Sequence, residues 1–148
     1  MKQRQSSERG SAMVMALGAL AILAVIAIVI VAVVVSEKRT SFSEYVGSRS
    51  FYSADAASEA GVNWIRHQYT PPTVVDTLNN VRTTTTYTPI GNENRYKFDV
   101  RYMRKRYRPG WSSEYKDYEY RVDATGTSAQ ATQAAIEVKA TRLYREGY

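Results

Sequence analysis

SAMVMALGALAILAVIAIVIVAVVV, residues 11–35, contains no charged side chain and no proline. At ~1.5 Å rise per residue this stretch makes roughly 38 Å of helix, enough to cross a ~30 Å hydrocarbon core with some tilt. It is preceded by a short basic flank in which Lys2, Arg4 and Arg9 stand against Glu8 alone. That flank is expected to hold the N-terminus on the cytoplasmic side and to leave the rest of the chain outside. A cleaved secretory signal has a shorter apolar core followed by a small-residue site. Here Glu37, Lys38 and Arg39 follow the run instead. On the residues alone the segment reads as a single-pass anchor. Its one internal glycine, Gly18, has no partner four residues away, so small-residue packing is a weak signal.

Apart from this run the chain is polar. Its 148 residues have a net charge of +6 and a mean hydropathy of −0.41. Little more than a hundred residues are left for a folded domain, so its core must be small. There is no cysteine, which excludes disulfides, thiolate catalysis and Cys-ligated metal. The single histidine, His67, would have to serve alone in any zinc or Ser/His/Asp site. The composition therefore argues against an enzyme. Basic balance suits nucleic acid, acidic lipid or acidic polymer without choosing among them.

No proline interrupts the chain from Ser11 to Thr70. Phe42, Tyr45, Val46, Tyr52, Ala56, Ala60 and Trp64 are mostly compatible with one helical face, with Arg49 interrupting it. Gly47 and Gly61 each weaken a helix by about 1 kcal/mol against alanine and mark a bend or a close contact. Pro71-Pro72 end the run. One helix is predicted from about Ser11 to about His67, with its second half laid amphipathically on a globular domain.

The C-terminal half alternates with period two. A β-branched run lies within Val81–Ile90, and a turn follows through Asn94. Tyr96, Phe98, Val100 and Tyr102 share one face, as do Tyr118, Tyr120, Val122 and Ala124, and then Ala134, Ile136, Val138 and Ala140. Arg108–Ser113 and Thr125–Ser128 read as breaks. This pattern predicts an antiparallel sheet packed on one side. The fold class is α+β: a long N-terminal helix, membrane-spanning in its first half, packed on about four strands. The predicted divisions are a leader at 1–10, a transmembrane or filament-core helix at 11–36, an amphipathic continuation at 37–70 and a sheet domain at 71–148.

A basic leader ending in Gly10, an immediate apolar helix, its amphipathic continuation and then a meander resemble the layout of type IV pilin-like proteins. Glu8-Arg9-Gly10-Ser11-Ala12-Met13-Val14-Met15-Ala16-Leu17 looks like the start of PilX-type minor pilins. Phe51-Tyr52-Ser53-Ala54-Asp55-Ala56 and Ser58-Glu59-Ala60-Gly61-Val62 look like the same family's stretch at the end of the helix. The resemblance covers about residues 8–65. It implies cleavage by a prepilin peptidase after Gly10 and methylation of the new N-terminus at Ser11. Major pilins usually carry Phe first and Glu fifth in the mature chain, where Ser11 and Met15 stand here. That carboxylate would need the N-terminal amine as its partner inside an apolar core. Ala32 stands where many major pilins have a helix-breaking proline. Both departures resemble minor subunits that initiate or cap a filament. The implied role is a non-enzymatic minor pilin, held in the inner membrane and later at the cell surface in a pilus. The implied partners are other minor pilins, the major pilin, the prepilin peptidase and inner-membrane lipid, with no cofactor.

One patch suggests a binding alternative. Arg95, Lys97, Arg101, Arg104, Lys105, Arg106 and Arg108 are interleaved with aromatics. Such a surface neutralises phosphates while aromatics stack on bases, as a receptor for DNA or another polyanion would require. However, Tyr96, Phe98, Val100 and Tyr102 are better spent on the core. The patch is therefore read first as a contact to acidic neighbouring subunits or as a solvated face that protects an edge strand. DNA is the less favoured partner. His67 reads as a helix-end cation, Asp55 and Glu59 as a solvated or Arg-paired helix face, and Asp117, Glu119 and Asp123 as the polar face of a strand.

Overall fold

A computed structural model of the protein describes residues 4–73, 80–128 and 132–146, with side chains from residue 10 onward. The predicted cytoplasmic flank therefore falls partly outside the described residues. One helix, α1 (Arg4–Arg66), is followed by β1 (Asn80–Thr83), β2 (Thr88–Ile90), β3 (Asn94–Tyr107), β4 (Tyr115–Thr127) and β5 (Gln133–Arg145). The chain divides into two units, residues 1–43 and 44–148. The first is the apolar part of α1. Its large side chains from Met13 to Val35 are all exposed.

The second unit is a helix packed on a five-stranded antiparallel sheet, an α+β arrangement. The strands run β1-β3-β4-β5, and β2 pairs with the same side of β3 as β1. The β-branched run within Val81–Ile90 thus forms two short strands on one edge, and Pro89 and Ile90, read as part of the turn, belong to β2. Thr84 leaves the ladder where its N–H donates to the Asp99 carboxylate at 3.0 Å. β3 and β4 are longer than the alternation suggested, and Thr125–Thr127, read as a loop, belong to β4.

The buried sheet face is the expected one. Phe98, Val100, Tyr118, Tyr120, Val122 and Ala124 form the core with Tyr144, Ala57 and Ile65. The helix face that covers it is only partly the expected one: Val46 is buried and Ala60 and Trp64 pack against the core, whereas Ala56 is exposed. Phe42, Tyr45 and Tyr52 are 51%, 54% and 69% exposed. Buried with Val46 are Ser50, Ser53, Ala54, Ala57, Ser58, Gly61 and Ile65, a stripe of mostly small residues at helical spacing. The sheet supplies the bulk, and the helix backbone comes close enough to meet it. A Cβ at Gly126 of β4 would overlap the Ala54 nitrogen and the Ser50 carbonyl oxygen. A Cβ at Gly61 would overlap Val122 and stand 3.2 Å from the Phe98 ring. The buried serines cost little because each hydroxyl donates within the helix: Ser50 to the Gly47 carbonyl, Ser53 to that of Arg49 and Ser58 to that of Asp55, all at 2.8 Å.

The helix end is held by the last strand. The Arg142 guanidinium donates to the Ile65 carbonyl, and the Tyr144 hydroxyl donates to that of Gln68 at 3.4 Å. His67 reaches the Asn63 carbonyl at 2.8 Å with Nδ1, and Gln68 Nε2 reaches that of Trp64 at 3.2 Å. These four donors reinforce the last turn, where the His67 and Gln68 N–H groups already reach the Asn63, Trp64 and Ile65 carbonyls.

Because backbone cannot yield as a side chain tip does, Gly126→Ala is expected to cost about 2–3 kcal/mol. Denaturant unfolding of the full chain in detergent measures it. An unchanged midpoint would show that the helix can lift off β4 without loss.

Candidate functional site

Two regions carry the functional readings. The first is the apolar part of α1. Its best 18-residue window has a mean hydropathy of 3.3, and none of that window is buried. A helix this long and apolar is compatible with a single-pass membrane anchor. Gly10 and Ser11, the expected processing junction, lie inside α1 and are exposed, and a side chain at Gly10 would meet nothing within 4 Å. Lys38, Arg39 and Phe42 follow the apolar run on the same helix.

The second region is the solvent face of the sheet, where the structure divides the basic stretch. β3 and β4 pair residue for residue from Arg95↔Thr127 to Tyr102↔Tyr120, and resume at Arg104↔Glu119. Met103 is the extra residue, a bulge that shifts the alternation by one. Before it, Arg95, Lys97 and Arg101 share the solvent face. After it, Arg104 and Arg106 hold that face, while Lys105 lies opposite Tyr118 on the other. The seven basic residues therefore do not form one surface.

Those on the solvent face are met by carboxylates. Glu119 accepts from Arg104 at 2.5 Å and lies 3.3 Å from both Arg106 and Lys139. Asp123 lies 3.6 Å from Arg101 and 2.7 Å from Arg121, and Arg121 reaches Glu137 at 3.1 Å. Arg108 is 3.7 Å from Asp117. Six cations thus face four carboxylates across three strands. Lys105 pairs with Glu146, as does Lys116. Lys97 stacks on Tyr87 at 5.2 Å, and Arg95 is exposed.

Of the aromatics interleaved with these cations, Tyr96, Phe98 and Tyr102 turn inward, whereas Tyr107, between Arg106 and Arg108, is exposed with Lys116 5.2 Å over its ring. Phe98 and Val100 are core residues, and Tyr96 and Tyr102 pack against them. None of the three inward rings is presented beside the guanidinium groups for base stacking. Sequence reasoning missed the exposed Trp111 as a partner of that stretch. At the β3–β4 turn, Arg108 lies 5.0 Å over Trp111, and the Trp111 ring meets Tyr115 edge-on at 5.3 Å. It also missed Glu119 as the centre of the network. The only available signal was that it sits mid-strand among apolar positions.

Among the described residues, no three His, Asp or Glu side chains come together as a metal site would need. Asp55 and Glu59 are exposed on α1. No protein-family model matches the chain, and neither a curated protein nor a solved structure matches it.

The hydrogen bond from Arg104, helped by Lys139, holds the Glu119 carboxyl below its ordinary 4.5. Lys105, Lys116 and the Tyr118 hydroxyl pull Glu146 down to about 2. A depressed carboxylate stabilises the fold above its unfolded value, and that stability is lost as pH falls through the folded value. Glu119→Gln should therefore lower the melting temperature at pH 7, and the gap from the parent chain should close as pH falls below 4.5. Thermal melts across that range measure it; a gap unchanged at the acid end would mean that ionisation of Glu119 is not what matters. The same variant should elute from heparin at higher salt than the parent, because three cations lose their internal partner.

Proposed function

We propose that the chain is a PilX-like minor pilin, a non-enzymatic subunit that takes part in initiating, assembling or capping a type IV pilus or related secretion filament. The observation that carries this reading is α1 itself. One uninterrupted helix begins ahead of Gly10, exposes every large apolar side chain from Met13 to Val35, and goes on into a segment covered by a sheet. A plain anchor needs only the apolar part. An exposed apolar helix that continues directly into the folded domain suits a subunit that leaves lipid and packs its helix among neighbouring helices. The absence of a carboxylate at Met15 supports a low-copy subunit, because such a subunit has no buried charge to pair with a neighbour's N-terminal amine. In this reading the protein waits in the inner membrane with its sheet domain outside. The prepilin peptidase cuts after Gly10, Ser11 becomes the methylated N-terminus, and other pilins are the partners.

The alternative is a membrane-anchored receptor for DNA or another polyanion. The internal pairing of Arg101, Arg104, Arg106 and Arg108 weighs against it, since a phosphate must compete with a carboxylate already in place.

Two measurements separate these readings. Intact mass and terminal sequencing of the protein from its native membrane should give a chain starting at a methylated Ser11. Retention of Lys2–Gly10 in cells with an active prepilin peptidase would make it a plain anchor. Titration with single- and double-stranded DNA over a salt series should show weak binding that Arg104→Ala and Arg106→Ala barely change. A fall in affinity of about tenfold or more with a shallower salt slope would favour the receptor.

A further inference from the structure

The two edges of the sheet differ in kind. The β1/β2 edge is short, split between Thr83 and Thr88, and carries Pro89. Those are the usual means of blunting an edge against pairing. The β5 edge has none of them. It runs 13 residues from Gln133 to Arg145, pairs with β4 in unbroken register, and contains no proline and no bulge. Among the described residues no strand pairs with its other side. Its central charges do not guard that edge either. Glu137 is drawn onto Arg121 and Lys139 onto Glu119, both toward β4.

Beside this edge lies a groove of about 390 Å³ between α1 and β5. Val62 on the helix and Val138 and Ala140 on the strand give it an apolar floor, and all three are only half-buried. Its rim carries Arg66 and Arg142 against Glu59, the Lys139 ammonium being turned to Glu119. An open row of backbone donors and acceptors beside an apolar, positively rimmed groove is the arrangement that takes an extended peptide as an added strand. We infer that the β5 edge binds an extended segment of a partner protein as a sixth strand, apolar at every second position and carrying a carboxylate opposite Arg142. A second copy of β5 fits less well, because it would bring its own Arg142, and no unpaired carboxylate, to a positive rim. This inference rests on the sheet edge and not on the filament reading.

The test uses the full chain in detergent and the peptide Glu-Thr-Val-Thr-Val-Thr-Val as probe. Two controls accompany it: the same peptide with Lys in place of Glu, and the Glu peptide N-methylated at alternate residues. Binding is read by fluorescence anisotropy and hydrogen exchange. The Glu peptide should bind about tenfold or more tightly than either control and should slow exchange along β5. Arg66→Glu, an exposed helix-surface change that leaves the core intact, should narrow or invert the preference between the Glu and Lys peptides. Four outcomes overturn the inference: no binding of the Glu peptide, equal binding of the N-methylated peptide, protection confined to the β1/β2 edge, or a Glu-over-Lys preference that Arg66→Glu leaves unchanged. Protection of β5 that rises with protein concentration in the absence of peptide also overturns it, by assigning the edge to a second copy.

Discussion

The folded unit depends on how near α1 comes to β4. Its backbone rests directly over Gly126 with no side chain between them, and a little further along Gly61 makes room for the Val122 side chain. This closeness dictates which residues are tolerated inside along the middle of the packed segment: Ser50, Ser53, Ala54, Ala57 and Ser58, none larger than a hydroxymethyl, with the larger Val46 and Ile65 only at its two ends. It also dictates that the sheet must supply the volume, which Phe98, Tyr118, Tyr120 and Tyr144 do. A protein interior is close-packed, so a larger residue on one surface must be matched by a smaller one on the other.

That complementarity explains what the sequence showed and what it hid. The strands were legible because Tyr96 to Tyr102 and Tyr118 to Ala124 alternate large apolar with charged residues, and a one-sided sheet needs that pattern. The helix was legible as a helix, but its orientation only through Val46, Ala60 and Trp64. A search for the most hydrophobic face selects Phe42, Tyr45 and Tyr52, whereas the buried face is marked by smallness. Serine reads as polar by type, yet a hydroxyl bonded to its own helix is no obstacle to burial. Thr125-Gly126-Thr127 looked like a loop because glycine commonly breaks a strand; here the glycine makes room for another backbone.

The basic stretch shows a different limit. Counting Arg and Lys along β3 gives a positive strand, but the acids that answer it are spaced along β4 and β5. Pairing brings Glu119 beside Arg104, and only the bulge at Met103 decides that Lys105 turns away from its neighbours. No one-dimensional reading contains that shift. The solvent face is accordingly a mixed lattice of charge. The exposed pairs in it, such as Arg121 with Glu137, add little to stability singly, typically ~0–1 kcal/mol, whereas the Glu119 carboxylate is itself buried beneath its cations. The larger effect of the exposed pairs is on which partners are repelled or admitted.

The donors that hold the end of α1 have a consequence in time. Arg142 and Tyr144 reach carbonyls 77 and 76 residues earlier in the chain. At a synthesis rate of ~5–20 residues per second, the helix terminus waits roughly 4–15 seconds before the strand that holds it exists. The apolar segment is made before either. The order of synthesis therefore lets the hydrophobic stretch find its surroundings while the sheet is still incomplete. The domain closes last, when its final strand arrives to hold the helix by its end.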